Sequence, residues 1–114
     1  MDHQKFAAAW ISAWNSHDLE NILSHYSDDL MITTPMITLA TGGKESILTG
    51  KDAVRDYWQK ALDKFPDLHF KLIHSAAGVG SVALFYQSIM EKHAVEVMFF
   101  NEEGKINKMF AHYD

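Results

Sequence analysis

The first half of the chain alternates apolar and polar residues with helical spacing. Apolar residues recur at intervals of three and four in three segments, which predict helices at residues 6–14, 19–26 and 51–65. The polar run Asn15-Ser16-His17 ends the first helix, Asp18 is placed to cap the second, and Pro66 ends the third. The pattern therefore indicates two short helices and one long helix.

The second half changes to an alternation of period two. Before it, Leu30–Thr34 is rich in β-branched residues and predicts a strand ending at Pro35, followed by a loop through Gly50. Beyond Pro66 the alternation predicts four strands joined by short turns, at residues 68–74, 81–90, 94–100 and 105–113. Helices followed by an antiparallel meander indicate an α+β fold.

Composition and charge limit the number of domains, the chemistry and the partners that we expect. A chain of 114 residues fits one domain over residues 1–114, and the absence of cysteine excludes disulfides and thiolate chemistry. The net charge is −5 without a basic cluster, so we expect neither nucleic acid nor a membrane surface as a partner. Since no secretory signal or membrane-spanning run is apparent, we expect a soluble, cytoplasmic protein.

The strand at residues 94–100 is apolar on both faces. Val95, Val97 and Phe99 point one way, and Met98 and Phe100 point the other way, with Glu96 among them. Three helices can cover only one face of such a sheet. We therefore expect the other face to bind a second copy of the chain, giving a homodimer through the outer sheet face.

Several short motifs resemble the nuclear transport factor 2-like superfamily, and specifically its SnoaL-like and ketosteroid-isomerase-like members. The motifs are Trp14-Asn15-Ser16-His17-Asp18-Leu19, Tyr26-Ser27-Asp28-Asp29, Gly50-Lys51-Asp52-Ala53-Val54-Arg55-Asp56-Tyr57-Trp58 and Asn101-Glu102-Glu103-Gly104-Lys105-Ile106. The resemblance covers essentially the whole chain. It implies a cone-shaped, curved antiparallel sheet wrapped by three helices from the N-terminal half, an interior pocket and frequent dimerisation.

The resemblance does not fix a reaction, because the superfamily includes isomerases, dehydratases, cyclases, epoxide hydrolases and binding modules. Matching the motifs to ketosteroid isomerases puts Trp10 at their tyrosine, Thr34 at their carboxylate base and Glu96 at their oxyanion-hole aspartate. The catalytic set is therefore not retained, since a threonine hydroxyl is no base near neutral pH. Asp114 loosely resembles the acid of SnoaL-like cyclases.

Glu96 is the leading candidate for chemistry. The resemblance turns its side chain toward the pocket among apolar neighbours, where lost hydration should raise its pKa and suit it to general acid–base catalysis. Tyr113 and Thr34 are predicted to join it by supplying hydroxyl groups. The structural alternative is that Glu96 pairs with a basic or amide side chain at the mouth of the cone.

An unusual number of aromatic residues favours a pocket for a flat, apolar ligand. Core packing is the alternative explanation for each of them. The predicted lining comprises Trp10, Trp14, Tyr26, Trp58, Tyr86, Met98, Phe100 and Ala111. We expect a small-molecule pocket protein, either a cofactor-free isomerase, lyase or cyclase or a non-catalytic ligand-binding or protein-interaction module.

Metals and cofactors are not expected. None of the seven histidines has the spacing of a zinc site, and Thr41-Gly42-Gly43-Lys44 lacks the context of a phosphate-binding loop. His112 lies opposite Tyr113 in strand alternation. We therefore expect it on the dimer side, where it would make association depend on pH.

Overall fold

A computed structural model describes residues 2–114. The helices and strands, in chain order, are α1 (His3–Ser16), α2 (Leu19–Leu23), β1 (Tyr26–Thr33), α3 (Pro35–Ala40), β2 (Ile47–Thr49), α4 (Lys51–Lys64), β3 (Lys71–Gly78), β4 (Ser81–Gln87), β5 (His93–Phe100) and β6 (Ile106–Tyr113). A tight turn at Ile89–Glu91 joins β4 to β5. The predicted order of helices first and meander second is confirmed.

The six strands form one curved, open sheet in the order β2-β1-β6-β5-β4-β3. Strands β3 to β6 are antiparallel to their neighbours, as the short turns predicted. The exception is β1, which runs parallel to β6 and brings the first strand beside the last. The α+β fold class inferred from the sequence is confirmed, with this one parallel pair added.

Polar residues cap the first two helices and separate them. The Asp2 carboxylate caps α1 by accepting from the backbone N–H groups of Gln4 and Lys5. At the other end His17 takes a positive φ of 61°, which terminates the helix. Asp18 then caps α2 by accepting from the N–H of Asn21. His17 and Asp18 thus form a sharp turn between α1 and α2.

The segment after α2 differs from the sequence prediction. Tyr26 was expected in the second helix and Ser27-Asp28-Asp29 in a break, but β1 begins at Tyr26 and includes these residues. Tyr26 pairs with Ile106, and the register then shifts before Met31. The helical spacing was misleading because pairing with a strand 80 residues away decides the local conformation.

Two elements lie in the segment predicted to be a loop. Pro35 ends β1 as expected but also starts α3, with Thr34 as its N-cap. The short strand β2 then pairs with β1. Residues 2–114 therefore contain four α-helices rather than the three predicted.

The bounds of two later strands also differ from their predictions. β3 begins at Lys71 rather than Leu68 and continues to Gly78, with a register shift near Ile73. β4 ends at Gln87 rather than Met90, because the following residues turn sharply. Positions 88–90 therefore belong to the connection between β4 and β5. The long helix α4 agrees more closely with its prediction and ends one residue earlier.

The two faces of the sheet have different environments. The inner face packs against the helices and contributes buried residues such as Leu84, Met98 and Met109. Phe85, Val95 and Phe99 lie on the outer face, and between 37% and 40% of each residue's surface is exposed. This division agrees with the alternation predicted for β5. None of the helices within residues 2–114 is long and apolar enough to cross a membrane.

Candidate functional site

Glu96 lies at the centre of the inner face. It sits between Leu84 on β4 and Ala111 on β6 in the register of the sheet, and only 4% of its surface is exposed. Its Oε2 atom has no hydrogen-bond partner among the described residues. Burial raises the pKa of the carboxyl group to about 8, so Glu96 is mostly protonated at neutral pH.

Three tyrosines lie close enough to Glu96 to respond to its charge. Burial, followed by the negative charge of Glu96, raises the pKa of Tyr26, Tyr86 and Tyr113. Tyr86 and Tyr113 both pair with Ala94, the inward-facing residue two positions before Glu96. All three hydroxyl groups therefore remain protonated at neutral pH and can donate hydrogen bonds.

Tyr113 and Thr34, the two predicted hydroxyl groups of the site, lie near each other. The hydroxyls of Thr34 and Tyr86 lie near that of Tyr113, and both partly offset the burial that raises its pKa. Thr34 is buried, and its Oγ1 accepts from the N–H of Met36 at 3.2 Å. The residue is thus also the cap of α3, which fixes its position.

Tryptophan rings pack against Tyr26 and Tyr86, two of the tyrosines near Glu96. The Trp10 indole N–H donates a 2.8 Å hydrogen bond to the Tyr26 hydroxyl, and the Trp10 ring lies 5.2 Å from that of Tyr86. Trp58 packs edge-on against Tyr26 at 4.9 Å and Trp14 at 5.0 Å. The predicted aromatic residues, which lie on α1, α4, β1 and β4, thus form one connected cluster.

The remaining predicted lining residues lie at different distances along the sheet from Glu96. Met98 is fully buried on the inner face, and Ala111 lies directly across from Glu96. Phe100 instead packs edge-on against Phe6 at 5.1 Å, nearer the far end of β5. The Trp14 Nε1 atom is buried without a hydrogen-bond partner in the described part of the chain.

Phe70 is a member of the cluster that the sequence prediction did not include. Its ring lies 4.8 Å from Tyr86, 5.5 Å from Trp14 and 5.9 Å from Trp10. The available signal was the alternation of Leu68 and Phe70, both of which are buried while His69 is exposed.

The two polar candidates near the C-terminal end of β6 lie away from Glu96. Asp114 is at the surface, where its carboxylate accepts from the backbone N–H of His93 at 3.0 Å and contacts the His93 ring at 2.9 Å. That backbone hydrogen bond is the main reason that the pKa of Asp114 is lowered. His112 is exposed on the outer face, 3.2 Å from the carbonyl oxygen of Val95.

Two depressions are open at the surface. One, of about 290 Å³, lies between the end of α4 and the β4–β5 connection, and the other, of about 470 Å³, lies between α2 and α4. Glu96 lines neither of them. The residues from 2 to 114 bring together no group of three or more histidines and carboxylates that could hold a metal.

Solved structures resemble this fold along nearly the whole chain. A SnoaL-like protein of unknown function from Burkholderia thailandensis E264 is 44% identical with a TM-score of 0.93, covering 98% of this chain and 94% of its own. A putative isomerase of the SnoaL-like family from Agrobacterium tumefaciens strain C58 is 18% identical with a TM-score of 0.77, covering 98% and 97%. AclR, a putative hydroxylase from Streptomyces galilaeus, is 20% identical with a TM-score of 0.74, covering 97% and 77%.

No curated protein matches the sequence. The family model of the SnoaL-like domain, in contrast, matches residues 7–109. That range begins inside α1, includes the whole aromatic cluster and Glu96, and ends inside β6. The family expected from the sequence motifs is confirmed: the chain belongs to the SnoaL-like domain family.

Proposed function

We propose that the chain is a small-molecule pocket protein that acts on an apolar or aromatic metabolite by acid–base chemistry at Glu96. The reaction class is a cofactor-independent isomerisation, elimination or cyclisation. Similar folds described as a putative isomerase and a putative hydroxylase support a catalytic role, although at 18% and 20% identity they share only the fold.

The observation that carries the proposal is the state of the Glu96 carboxyl group. A carboxyl that is 4% exposed, lacks a partner for Oε2 among the described residues and has a pKa of about 8 is costly to keep in a core. Such an arrangement is typical of residues that exchange protons with a substrate. Among residues 2–114 no lysine or arginine forms an ion pair with Glu96 and no amide side chain donates to its Oε2, which supports proton exchange over a structural pair with a basic or amide side chain.

The mechanism follows from the protonation state. Glu96 enters the reaction as an acid and gives its proton to one atom of the substrate. The carboxylate that results takes a proton from a second atom, so that the residue returns to its starting form. The hydroxyls of Tyr113 and Tyr86 orient the substrate and donate hydrogen bonds to the charge that develops. Thr34 acts only in orientation, since its hydroxyl is no base.

The test is a turnover screen of flat, apolar carbonyl and hydroxyl compounds with the wild type, Glu96→Gln and the control Glu102→Gln. Glu102 is exposed in the β5–β6 connection. We expect Glu96→Gln to lose turnover of any accepted compound while still binding it, and Glu102→Gln to behave as the wild type. Undiminished turnover by Glu96→Gln would overturn the proposed role.

The second candidate is a ligand-binding module without catalysis. It is favoured by the tight aromatic packing, in which Trp10 uses its only polar atom to bond Tyr26 inside the protein. Binding of apolar compounds that is equal in the wild type and Glu96→Gln, without turnover by either, would select this candidate.

We also propose that the outer face of the sheet joins two copies of the chain in a homodimer. The helices occupy the inner side, so Phe85, Val95 and Phe99 remain partly exposed at the centre of the other side. A second copy would present the same apolar surface and cover these residues symmetrically. His112 lies in the same row as Phe85 and Val95, so its protonation would weaken this association.

A further inference from the structure

The groove of about 290 Å³ lies at the same end of the sheet as Tyr86 and Tyr113. The end of α4, the loop after it and the β4–β5 connection form its walls. Its lining combines apolar side chains, including Phe65, Leu68 and Ile89, with polar ones, including Lys64, Asp67 and Ser88. Such a groove can contact both the apolar and the polar parts of a small organic ligand.

The floor of the groove leads to the aromatic cluster. Leu68 and Ser88 line the groove, and both are buried, with 7% of their surface exposed. Phe70 follows Leu68 by two residues and Tyr86 precedes Ser88 by two, and their rings lie 4.8 Å apart. Along the chain Tyr86 lies midway between Ser88, which lines the groove, and Leu84, which pairs with Glu96, so the Phe70–Tyr86 pair separates the groove from the surroundings of Glu96.

The β4–β5 connection beside the groove is strained. Met90 and Glu91 have φ values of 55° and 59°, in the left-handed region that residues with a side chain rarely adopt. The backbone is held by Ser88 N–H donating to the Lys92 carbonyl at 2.6 Å and Lys92 N–H donating to the Ile89 carbonyl at 3.1 Å. These short-range bonds, the burial of Ser88 and the partial packing of Ile89 oppose the release of the strain.

Met90 also has an unusual environment for an apolar side chain. It lines the groove, yet 66% of its surface is exposed. The thioether is flexible and makes favourable contacts with aromatic rings, so it can adapt to a flat ligand passing over it.

We propose that this groove is the entrance of the Glu96 site and that the Ser88–Lys92 connection is its gate. This inference rests on the proposed function, since it assigns a route to the same site. A flat, apolar ligand first contacts Met90 and Phe65, the strained turn swings aside, and the ligand passes between Phe70 and Tyr86 toward Glu96.

The chain itself supplies probes for the test. All three tryptophans belong to the buried aromatic cluster, so quenching of their fluorescence by acrylamide measures how fast a small neutral molecule reaches the interior. Because the chain has no cysteine, Met90→Cys creates a single attachment point for a polyethylene glycol maleimide. Val79→Cys is the matched control, fully exposed in the turn at the opposite end of β4.

We expect the Met90→Cys adduct to lower the bimolecular quenching constant by about threefold or more, and the Val79→Cys adduct to leave it unchanged. Met90→Ala should raise the constant, because it uncovers the groove, whereas Leu39→Ala on exposed α3 should not. Equal quenching in the Met90→Cys adduct and the unmodified protein, or in Met90→Ala and the wild type, would overturn the entrance.

The outcome is independent of the catalytic proposal. Acrylamide carries no information about turnover, and Glu96→Gln leaves the groove intact. Blocked access in the Met90→Cys adduct together with unchanged turnover in Glu96→Gln would retain the entrance and overturn the role of Glu96. Unblocked access with lost turnover in Glu96→Gln would do the reverse.

Discussion

The side-chain amide of Asn15 satisfies both backbone polar groups of Phe70. Its Nδ2 donates to the Phe70 carbonyl at 2.9 Å, and its Oδ1 accepts from the Phe70 N–H at 2.7 Å. Two residues later His17 Nε2 donates to the Leu68 carbonyl at 2.7 Å. The end of α1 is thus fastened to the segment that joins α4 to β3, and this fastening places Phe70 against Tyr86.

Replacing Asn15 should therefore destabilise the protein and loosen the aromatic cluster. Asn15→Ala leaves the Phe70 N–H and carbonyl unpaired in a partly buried place, and we expect a loss of about 2–4 kcal/mol in the free energy of unfolding. Urea denaturation measures it. Gln59→Ala, which removes an exposed hydrogen bond to Asp63, is the control and should cost well under that amount. Equal midpoints for the two variants would contradict the prediction.

The same motif shows what sequence can predict and what it cannot. The corner at Asn15-Ser16-His17 and the helix after Lys51 follow from local signals, and both appear in the structure. The partners of Asn15 and His17 lie 55 and 51 residues away, so no local pattern reveals them. The motif by itself predicts a helix stop, whereas its role in attaching Phe70 depends on the fold.

The errors in the sequence prediction have physical causes. Tyr26 has the spacing of a helix, but its pairing with Ile106 draws it into β1. Thr34-Pro35 carries the signature of an N-cap followed by proline, but the same proline also ends a strand, so the pattern predicts a loop where α3 forms. The strained turn at Met90 was assigned to β4, since two non-glycine residues with positive φ leave no mark in the alternation.

The burial of Glu96, in contrast, follows from the local sequence. Strict alternation along β5 places it with Met98 on the inner face, and the structure buries both. The predicted rise of its pKa needs only that burial, because desolvation is the dominant cause. Its catalytic role and the interior pocket remain predictions, since they depend on a ligand that the alternation of residues does not identify.

The two indole groups of α1 should respond differently to the same substitution. Trp10→Phe removes the donor to the Tyr26 hydroxyl and leaves that oxygen unpaired in the core. Trp14→Phe removes an N–H that has no partner among the described residues. Because both substitutions remove the same ring area, we expect Trp10→Phe to be less stable than Trp14→Phe by about 1–2 kcal/mol in urea denaturation. A larger loss for Trp14→Phe would show the indole bond to be unimportant.

The raised pKa of Glu96 should make the protein less stable as the pH increases. The unfolded carboxyl titrates near its ordinary pKa of 4.5 and the folded one near 8, so between these values the folded state binds more protons. Stability therefore declines from about pH 4.5 and levels off above pH 8. At about 1.4 kcal/mol for each pKa unit, the total decline is several kcal/mol.

Glu96→Gln isolates this contribution, since glutamine does not titrate. Urea midpoints of both proteins from pH 5 to 9 give a difference curve in which other groups cancel, including His25, whose pKa burial lowers. We expect the stability of the variant relative to the wild type to increase up to about pH 8 and to level off above it. A flat difference curve would mean that Glu96 is solvated and ionised at neutral pH.

The proposed homodimer predicts that a charge at the centre of the outer face separates the subunits. Val97 lies between Ala83 and Phe110 in the register of the sheet, beside the exposed Val95 and Phe99. Val97→Glu should give a folded monomer, because pairing two copies would bury two unpaired carboxylates at the contact. Sedimentation velocity at micromolar concentration measures the change. Ser12→Glu, which adds the same charge on the exposed side of α1, should remain dimeric, and a monomeric wild type would refute the assembly.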